Sequence, residues 1–459
     1  MSGSALPRST PSAAGVDAAG ISAFVDALTS TPGIDPHSLM LIRGGTVVAE
    51  GWWAPYAPDR VHLLYSLSKS FTSTALGFAV AEGLVDLDAT VLGHFPELDA
   101  DITDPRSRAL TVRHLAAMAA GHPVDMLEPA KDVDPVDLVR GFLLLPPDGE
   151  PGTVFAYSQP CTFTVGAIVQ RVSGGSLTEW LRPRLFEPLG IGEVGWQRDA
   201  SGREIGYSGL HAVTEAIAAL GVLYLQRGRW GDRQLLPASW VDEATRPQVS
   251  TAAEGNPDWQ QGYGYQFWMA RHGYRGDGAY GQYCIVLPEH DTVLAITSQT
   301  PQMQSVLDLV WEHVLPALAG PGSAAADEAL AARLAHLTLP VVTGEALVAD
   351  GRTLTAAAGN DQPTVSGLRV TGDPAGVRVV LTEGERTLEY AVGQGEWAVT
   401  DVVAASGAMV DGVQAIDLVF LETPHRLQLR VPAGASEFTA HWVSAPLWTT
   451  PLAALRMPS

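Results

Sequence analysis

Ser66 stands three residues before Lys69, one of only two lysines in a 459-residue chain that carries 26 arginines. A sequence that prefers arginine for plain positive charge uses lysine where the ammonium must give up its proton. Burial or a neighbouring charge lowers a lysine pKa, and the free amine is then a base. On a helix, positions i and i+3 lie about one turn apart on one face, so hydroxyl and amine can meet. At a helix start the backbone N–H groups and the dipole favour a developing oxyanion and help depress the lysine pKa. The chemistry on offer is nucleophilic attack by a serine without histidine. Taken alone the pattern is common by chance, and serines that only cap a first turn would look the same.

Other site types are not found. No GxSxG elbow occurs, which disfavours an α/β-hydrolase. The 12 histidines and two cysteines form no HExxH or metal-spaced pair, so His114 and His211 read as structural and no metal or cofactor is expected. Lys131 lacks the glycines of a phosphate-binding loop. Residues 276–281 formally match GxGxxG, but a strand-like run, 282–287, follows where a dinucleotide site needs a helix. The glycines there read instead as places where backbone approaches an acyl group closely.

The stretch Tyr65-Ser66-Leu67-Ser68-Lys69-Ser70-Phe71-Thr72 resembles the first motif of the penicillin-binding-protein and class C β-lactamase-like serine hydrolases. Leu110-Thr111-Val112-Arg113-His114-Leu115 is similar to the helix that follows in that family. Residues 151–159, ending Ala156-Tyr157-Ser158-Gln159, resemble its second motif; Ser208-Gly209-Leu210-His211 and residues 235–241 add further matches in order. The likeness covers roughly residues 10–318, and several motifs together are far more specific than one.

The resemblance implies roles. Ser66 is the nucleophile, Lys69 its base, and Tyr157 the relay of a proton to the leaving group. Gln159 stands where the family has asparagine, and its amide is expected to meet a substrate carbonyl. The third motif aligns with Gly276-Asp277-Gly278, where the usual leading cation is absent, which disfavours β-lactams and D-Ala-D-Ala peptides. Asp277 and Gly278 are expected to line the substrate, and the N–H groups of Ala279 and Ser66 to form an oxyanion hole. The expected activity is hydrolysis of a small ester or amide through an acyl-enzyme. Transfer of the acyl group to an amine or alcohol, including from a thioester, is an alternative. A non-catalytic binding protein of the same fold is another.

These residues need elements to hold them. Helices are predicted over 17–28, 66–82, 110–119, 163–172, 214–226 and 303–318 from apolar residues at helical spacing, with Gly83 as a C-terminal stop. Residues 38–51 read as a hairpin turning at Arg43-Gly44-Gly45, and 263–268, 282–287 and 292–297 as strands. Trp52, Trp53 and the aromatics of 263–268 read as core or as walls of an acyl pocket. The expected fold is α+β, a β-lactamase/transpeptidase-like antiparallel sheet flanked by helices, with a helical insertion at about 90–210, together making a domain over 1–322. Residues 319–326 read as a linker. Beyond it the period becomes two, predicting a separate all-β, barrel-like domain over 335–459.

Composition sets the limits. Hydrophobic residues make up 46% and charged ones 17%, which describes a packed globular chain of more than one domain. A formal charge of −22 opposes binding to nucleic acid or an anionic membrane. The first 20 residues show no apolar signal core, and Phe142-Leu143-Leu144-Leu145 is stopped by Pro146-Pro147, so a cytoplasmic protein is expected. Cys161 and Cys284 read as free buried thiols. The expected partner is a small-molecule substrate; oligomeric state is left open.

Overall fold

A computed structural model of the chain describes residues 6–458; the first five residues, part of the stretch read above for a secretory signal, lie outside them. The central sheet has six antiparallel strands in the order Thr46–Trp52, Asp35–Arg43, Thr292–Gln299, Gln282–Leu287, Tyr274–Gly278, Trp268–Met269. The N-terminal hairpin turns through Gly44 and Gly45, both at positive φ, the geometry of a tight hairpin turn. Its first strand pairs with Thr292–Gln299, so strands from both ends of residues 35–299 close one sheet around a largely helical middle.

Alternation on the strand Asp35–Arg43 explains the two layers. Met40 and Ile42 face a core shared with the helices Ser68–Ala81, Gln159–Ser173 and Thr214–Leu225. Leu39 and Leu41 face a second core built with the helices Ala18–Ser30 and Met303–Leu309. Among the described residues no helix is long and apolar enough to cross a membrane.

Two expected elements differ. The run 263–268 is a strand only at Trp268–Met269; Gln266 takes a φ of 63° and breaks the extension. The Tyr265 and Gln266 carbonyls accept instead from the Ser73 and Ser70 hydroxyls at 2.7 and 3.0 Å. The last three residues of the supposed linker are helical: Ser323 caps Ala324–Leu334 by accepting from the Ala326 N–H at 3.2 Å. That helix docks on the outer strand, where Leu334 and Leu337 crowd Gly51.

The C-terminal nine strands run in the order Arg386–Val392, Gly376–Glu383, Val365–Asp373, Leu354–Ala356, Glu437–Trp442, Arg426–Pro432, Val413–Phe420, Val403–Val410, Ala398–Thr400. Gly407 N–H donates to the Gly393 carbonyl at 2.9 Å and Gly393 N–H to Ala405 at 3.1 Å, nearly closing the sheet into a barrel. The barrel has its own apolar interior, while Ala404, Val419 and Leu421 join the second core described above.

Candidate active site

The chain turns sharply at Tyr65, whose φ is 47°, and a short 3-10 turn, Tyr65–Leu67, feeds the helix Ser68–Ala81. Ser66 therefore sits on the lip of the helix and is the one residue from Val61 to Phe71 that is not buried. The helix behind it is buried on every side from Ser68 to Ala79. It bears this because its hydroxyls are satisfied: Thr72 donates to the Gly206 carbonyl at 2.8 Å and Thr74 to that of Ser70 at 2.8 Å.

Lys69 reaches back along this face. Its Nζ lies 3.1 Å from Ser66 Oγ, 2.6 Å from Gln159 Oε1 and 2.8 Å from the Tyr207 carbonyl. Burial brings its pKa down to about 7, against the opposing charges of Asp125 and Asp277. The ammonium also sits 4.6 Å from the centroid of the Tyr157 ring. Tyr157 and Ser66 line the same space, and the Tyr157 ring stacks on Trp268 at 5.4 Å and 18°. Burial pushes the Tyr157 phenol well above its usual range, with the Asp277 charge adding to the shift and the nearby Ser66 hydroxyl opposing it. The three side chains singled out from the sequence thus converge.

Gln159 opens the helix Gln159–Ser173, four residues earlier than its apolar spacing suggested. Its backbone N–H donates to Asp125 Oδ1 at 2.9 Å. The longer arm compared with asparagine lets its carbonyl hold Lys69, and its Nε2 has no protein acceptor among the described residues. Asp277 lies beside the site, but Arg275, two residues earlier on the same strand face, holds it at 3.0 Å. Burial raises the Asp277 pKa and Arg275 opposes that rise. Arg275 is itself fully buried, with its guanidinium 4.3 Å from the Trp259 ring centroid. No sequence pattern announced this pair.

Residues 276–281 form a hairpin, not a nucleotide loop, with Tyr280 and Gly281 at positive φ between the strands Tyr274–Gly278 and Gln282–Leu287. Ala279 lies at its start, and its N–H makes no hydrogen bond among the described residues. The glycines serve a different contact from the one expected. A Cβ on Gly278 would collide with the Leu64 carbonyl, and one on Gly276 with Ser70 Oγ and Leu67. They let the strand press against the turn carrying Ser66, and Gly278 lines neither of the spaces described next.

Two compartments meet at Ser66. One, of about 610 Å³, is walled by Tyr157, Trp259, Trp268, Asp277 and Ala279. The other, of about 600 Å³, is walled by Asp125, Gln159, Tyr207, Leu447 and Trp448. Of the tryptophans suggested as pocket walls, Trp268 lines the first, whereas Trp53 is buried in the second core and donates to Thr29 Oγ1 at 3.2 Å. His114 closes a capping box with Thr111, and His211 lies fully buried with Nδ1 3.2 Å from the Gly209 carbonyl, so both are structural. Cys161 and Cys284 are free and buried. Among the described residues no group of three or more His, Cys, Asp or Glu is arranged to hold a metal.

The barrel contributes what sequence reading missed. His425 Nδ1–H donates to the Ser444 carbonyl at 3.0 Å, leaving Nε2 to accept from the Tyr65 hydroxyl at 2.6 Å. The Tyr280 hydroxyl donates to the Ala445 carbonyl, and Gln299 Nε2 to Ser444 Oγ at 2.8 Å. Tyr65 and Tyr280 flank Ser66 and Ala279 respectively, both with positive φ, and their rings meet edge-on at 5.6 Å. Backbone held in this sparsely populated region must be fixed by its surroundings; here part of that surrounding is the barrel. A contact made across 360 residues leaves no local trace in the sequence.

The sequence model of the Beta-lactamase family matches residues 21–318. The 6-aminohexanoate-dimer hydrolase of Paenarthrobacter ureafaciens is 27% identical over 293 residues, 58% of this chain and 72% of that protein. Lovastatin esterase of Penicillium rubens is 29% identical over 170 residues, 32% of this chain, which spans only 42% of the esterase. The octameric penicillin-binding protein homologue from Pyrococcus abyssi superposes with a TM-score of 0.53 at 18% identity, covering 90% of this chain and 98% of that one. That last likeness, a likeness of fold, extends through the barrel.

Proposed function

The chain belongs to the beta-lactamase family, and from that premise we propose that it is a serine hydrolase cleaving an ester or amide through an acyl-enzyme on Ser66. The observation that carries this reading is the buried Lys69 amine, 3.1 Å from Ser66 Oγ and with a pKa near neutrality. Lys69 takes the hydroxyl proton as Oγ attacks the carbonyl carbon. The oxyanion that forms is met by the N–H groups of Ser66 and Ala279. Tyr157, whose raised pKa keeps its proton on, donates to the departing oxygen or nitrogen and is reprotonated from the Lys69 ammonium. Water then attacks the acyl-enzyme, passes a proton back through Lys69 and releases the acid. Gln159 Nε2, with no protein acceptor among the described residues, is a donor for the substrate carbonyl as that carbonyl enters from the Gln159 side.

Both compartments beside Ser66 carry carboxylates, Asp277 and Glu254 in one and Asp125 and Glu128 in the other. Gly276 stands where the family resemblance leads one to expect a cation. Among the described residues no basic side chain lines either compartment, and Lys69 behind Ser66 is already engaged with Ser66 and Gln159; this disfavours a β-lactam, whose carboxylate needs a cation of its own. The names of two relatives, a 6-aminohexanoate-dimer hydrolase and a lovastatin esterase, support hydrolysis of an ester or amide.

The test is intact-mass spectrometry with a panel of nitrophenyl esters, anilides and thioesters, alongside stopped-flow kinetics. An acyl adduct on Ser66 and a burst that disappears in Ser66→Ala are expected. Failure of Ser66 to react with every activated ester and with a fluorophosphonate would remove the proposal and leave a binding protein of the same fold. Two separate spaces at one hydroxyl also suit acyl transfer, since an acceptor amine or alcohol can enter the Tyr157 side after the first product leaves. Exclusive hydrolysis at high acceptor concentration would rule that second reading out.

A further inference from the structure

The Gln159 compartment does not end at Trp448. Tyr207 and Trp448 wall that compartment and also wall a groove of about 1000 Å³ running between the helical middle and the last described residues of the chain. Their ring centroids are 6.5 Å apart at 66°, so two aromatic side chains form the shared wall. Val136, Leu138, Phe163, Ile205 and Met457 supply apolar lining. The charged residues along it are largely committed elsewhere. Lys131 pairs with Glu128 at 2.7 Å, Asp134 with Arg140 at 3.1 Å, Arg198 with Glu204 at 3.6 Å and Arg456 with Asp401 at 2.9 Å. What the groove offers a ligand is therefore mainly apolar surface. Val136 is 68% and Trp448 37% exposed, and apolar surface gathered beside a cleft marks a binding region.

Direction follows from the chemistry at Ser66. A leaving group must reach the Tyr157 hydroxyl, and Tyr157 lines the compartment on the opposite side from Gln159. The acyl half then occupies the Gln159 side, which is the side continuous with the groove. We infer that the acyl group of the substrate is an elongated apolar chain that passes Tyr207 and Trp448 and lies along this groove, with the C-terminal tail at Met457 as its far wall. The inference rests on Ser66 being the nucleophile of an acyl-enzyme and names the class of acyl group that enzyme takes.

The experiment measures kcat/KM for nitrophenyl acetate, butyrate, octanoate and dodecanoate. Rates rising by up to roughly fourfold per methylene as far as octanoate are expected, the gain of moving a methylene from water to an apolar surface. Val136→Asp and Met457→Asp, on opposite walls, are each expected to lower the octanoate-to-acetate ratio at least fivefold, a ratio that partial unfolding leaves unmoved. A wild-type ratio at or below one, or a ratio unmoved in both variants, overturns the inference while leaving the hydrolase reading intact. Turnover of no ester of any length defeats both together.

Discussion

At the scale of the residue, the amine of Lys69 is held between opposing influences. Burial drives its proton off, whereas the Gln159 and Tyr207 carbonyls accept from the charged form and Asp125 and Asp277 stabilise it at a distance. The balance at about 7 has a kinetic consequence. Below that pH Lys69 is an ammonium and cannot take the Ser66 proton, so acylation should rise through pH 7 and level off above it. Asp125→Asn removes a charge that favours the ammonium, so the rising limb should move to lower pH. Lys69→Arg, which stays protonated, should lower acylation by about a thousandfold or more across the range, within what a general base contributes. Stopped-flow acylation rates in the three proteins against pH provide the check; a limb in the Asp125→Asn protein that stays put or moves upward contradicts the account. That Ser66, Lys69 and Tyr157 come together was legible because residue type at short or familiar spacing points to it. The Arg275–Asp277 pair was not, because a buried charge declares itself only once its burial is known.

At the scale of the element, the strand Tyr274–Gly278 and the turn carrying Ser66 touch backbone to backbone through Gly276 and Gly278. The glycine spacing was visible in the sequence, but its partner was not: the contact expected with the acyl group is made with Leu64, Leu67 and Ser70. Similarly, the stretch 263–268 has the composition of a strand, and tertiary hydrogen bonds to Ser70 and Ser73 fold it otherwise. Local propensity loses wherever a buried hydroxyl supplies a better partner for the backbone. Gly278→Ala tests the packing argument. Its methyl meets the Leu64 carbonyl, which no side-chain rotation relieves, and overpacking of this kind costs about 1–3 kcal/mol. Because Leu64 leads directly into Ser66, acylation should fall by about a hundredfold, as a shift near 1 Å would cause. Urea denaturation and burst amplitude measured on the same sample separate the two effects. A Gly278→Ala protein with unchanged midpoint and unchanged burst would show that the strand does not fix the turn.

At the scale of the whole molecule, the barrel is fastened to the catalytic part through a patch of buried tyrosines and histidines. Tyr56 donates to the Thr423 carbonyl at 3.0 Å, Tyr65 to His425 at 2.6 Å, and His37 Nδ1 lies 3.1 Å from His62 Nε2. Alternation in the sequence foretold the barrel strands, since period two is local, but docking depends on surfaces that only folding creates. Burial holds these histidines neutral: His62 falls to about 3, His425 and the nearby His211 to about 4, and His37 well below its ordinary value. Each folded pKa is depressed, so the unfolded chain binds the proton first. Stability is then complete above the ordinary histidine pKa of about 6.5 and is lost as pH falls from there toward 4, each histidine contributing up to about 1.4 kcal/mol per pH unit within the window. The net charge of −22 shrinks over the same range as histidines and then carboxylates protonate, which eases self-repulsion and acts in the opposite sense. The histidine effect should win down to about pH 4.5, because carboxylates titrate mostly below that. Denaturation midpoints between pH 7.5 and pH 4.5 should therefore fall steadily, and His425→Gln, which cannot titrate, should flatten the slope by about one proton. A midpoint independent of pH across this range would mean that these histidines do not contribute to holding the fold.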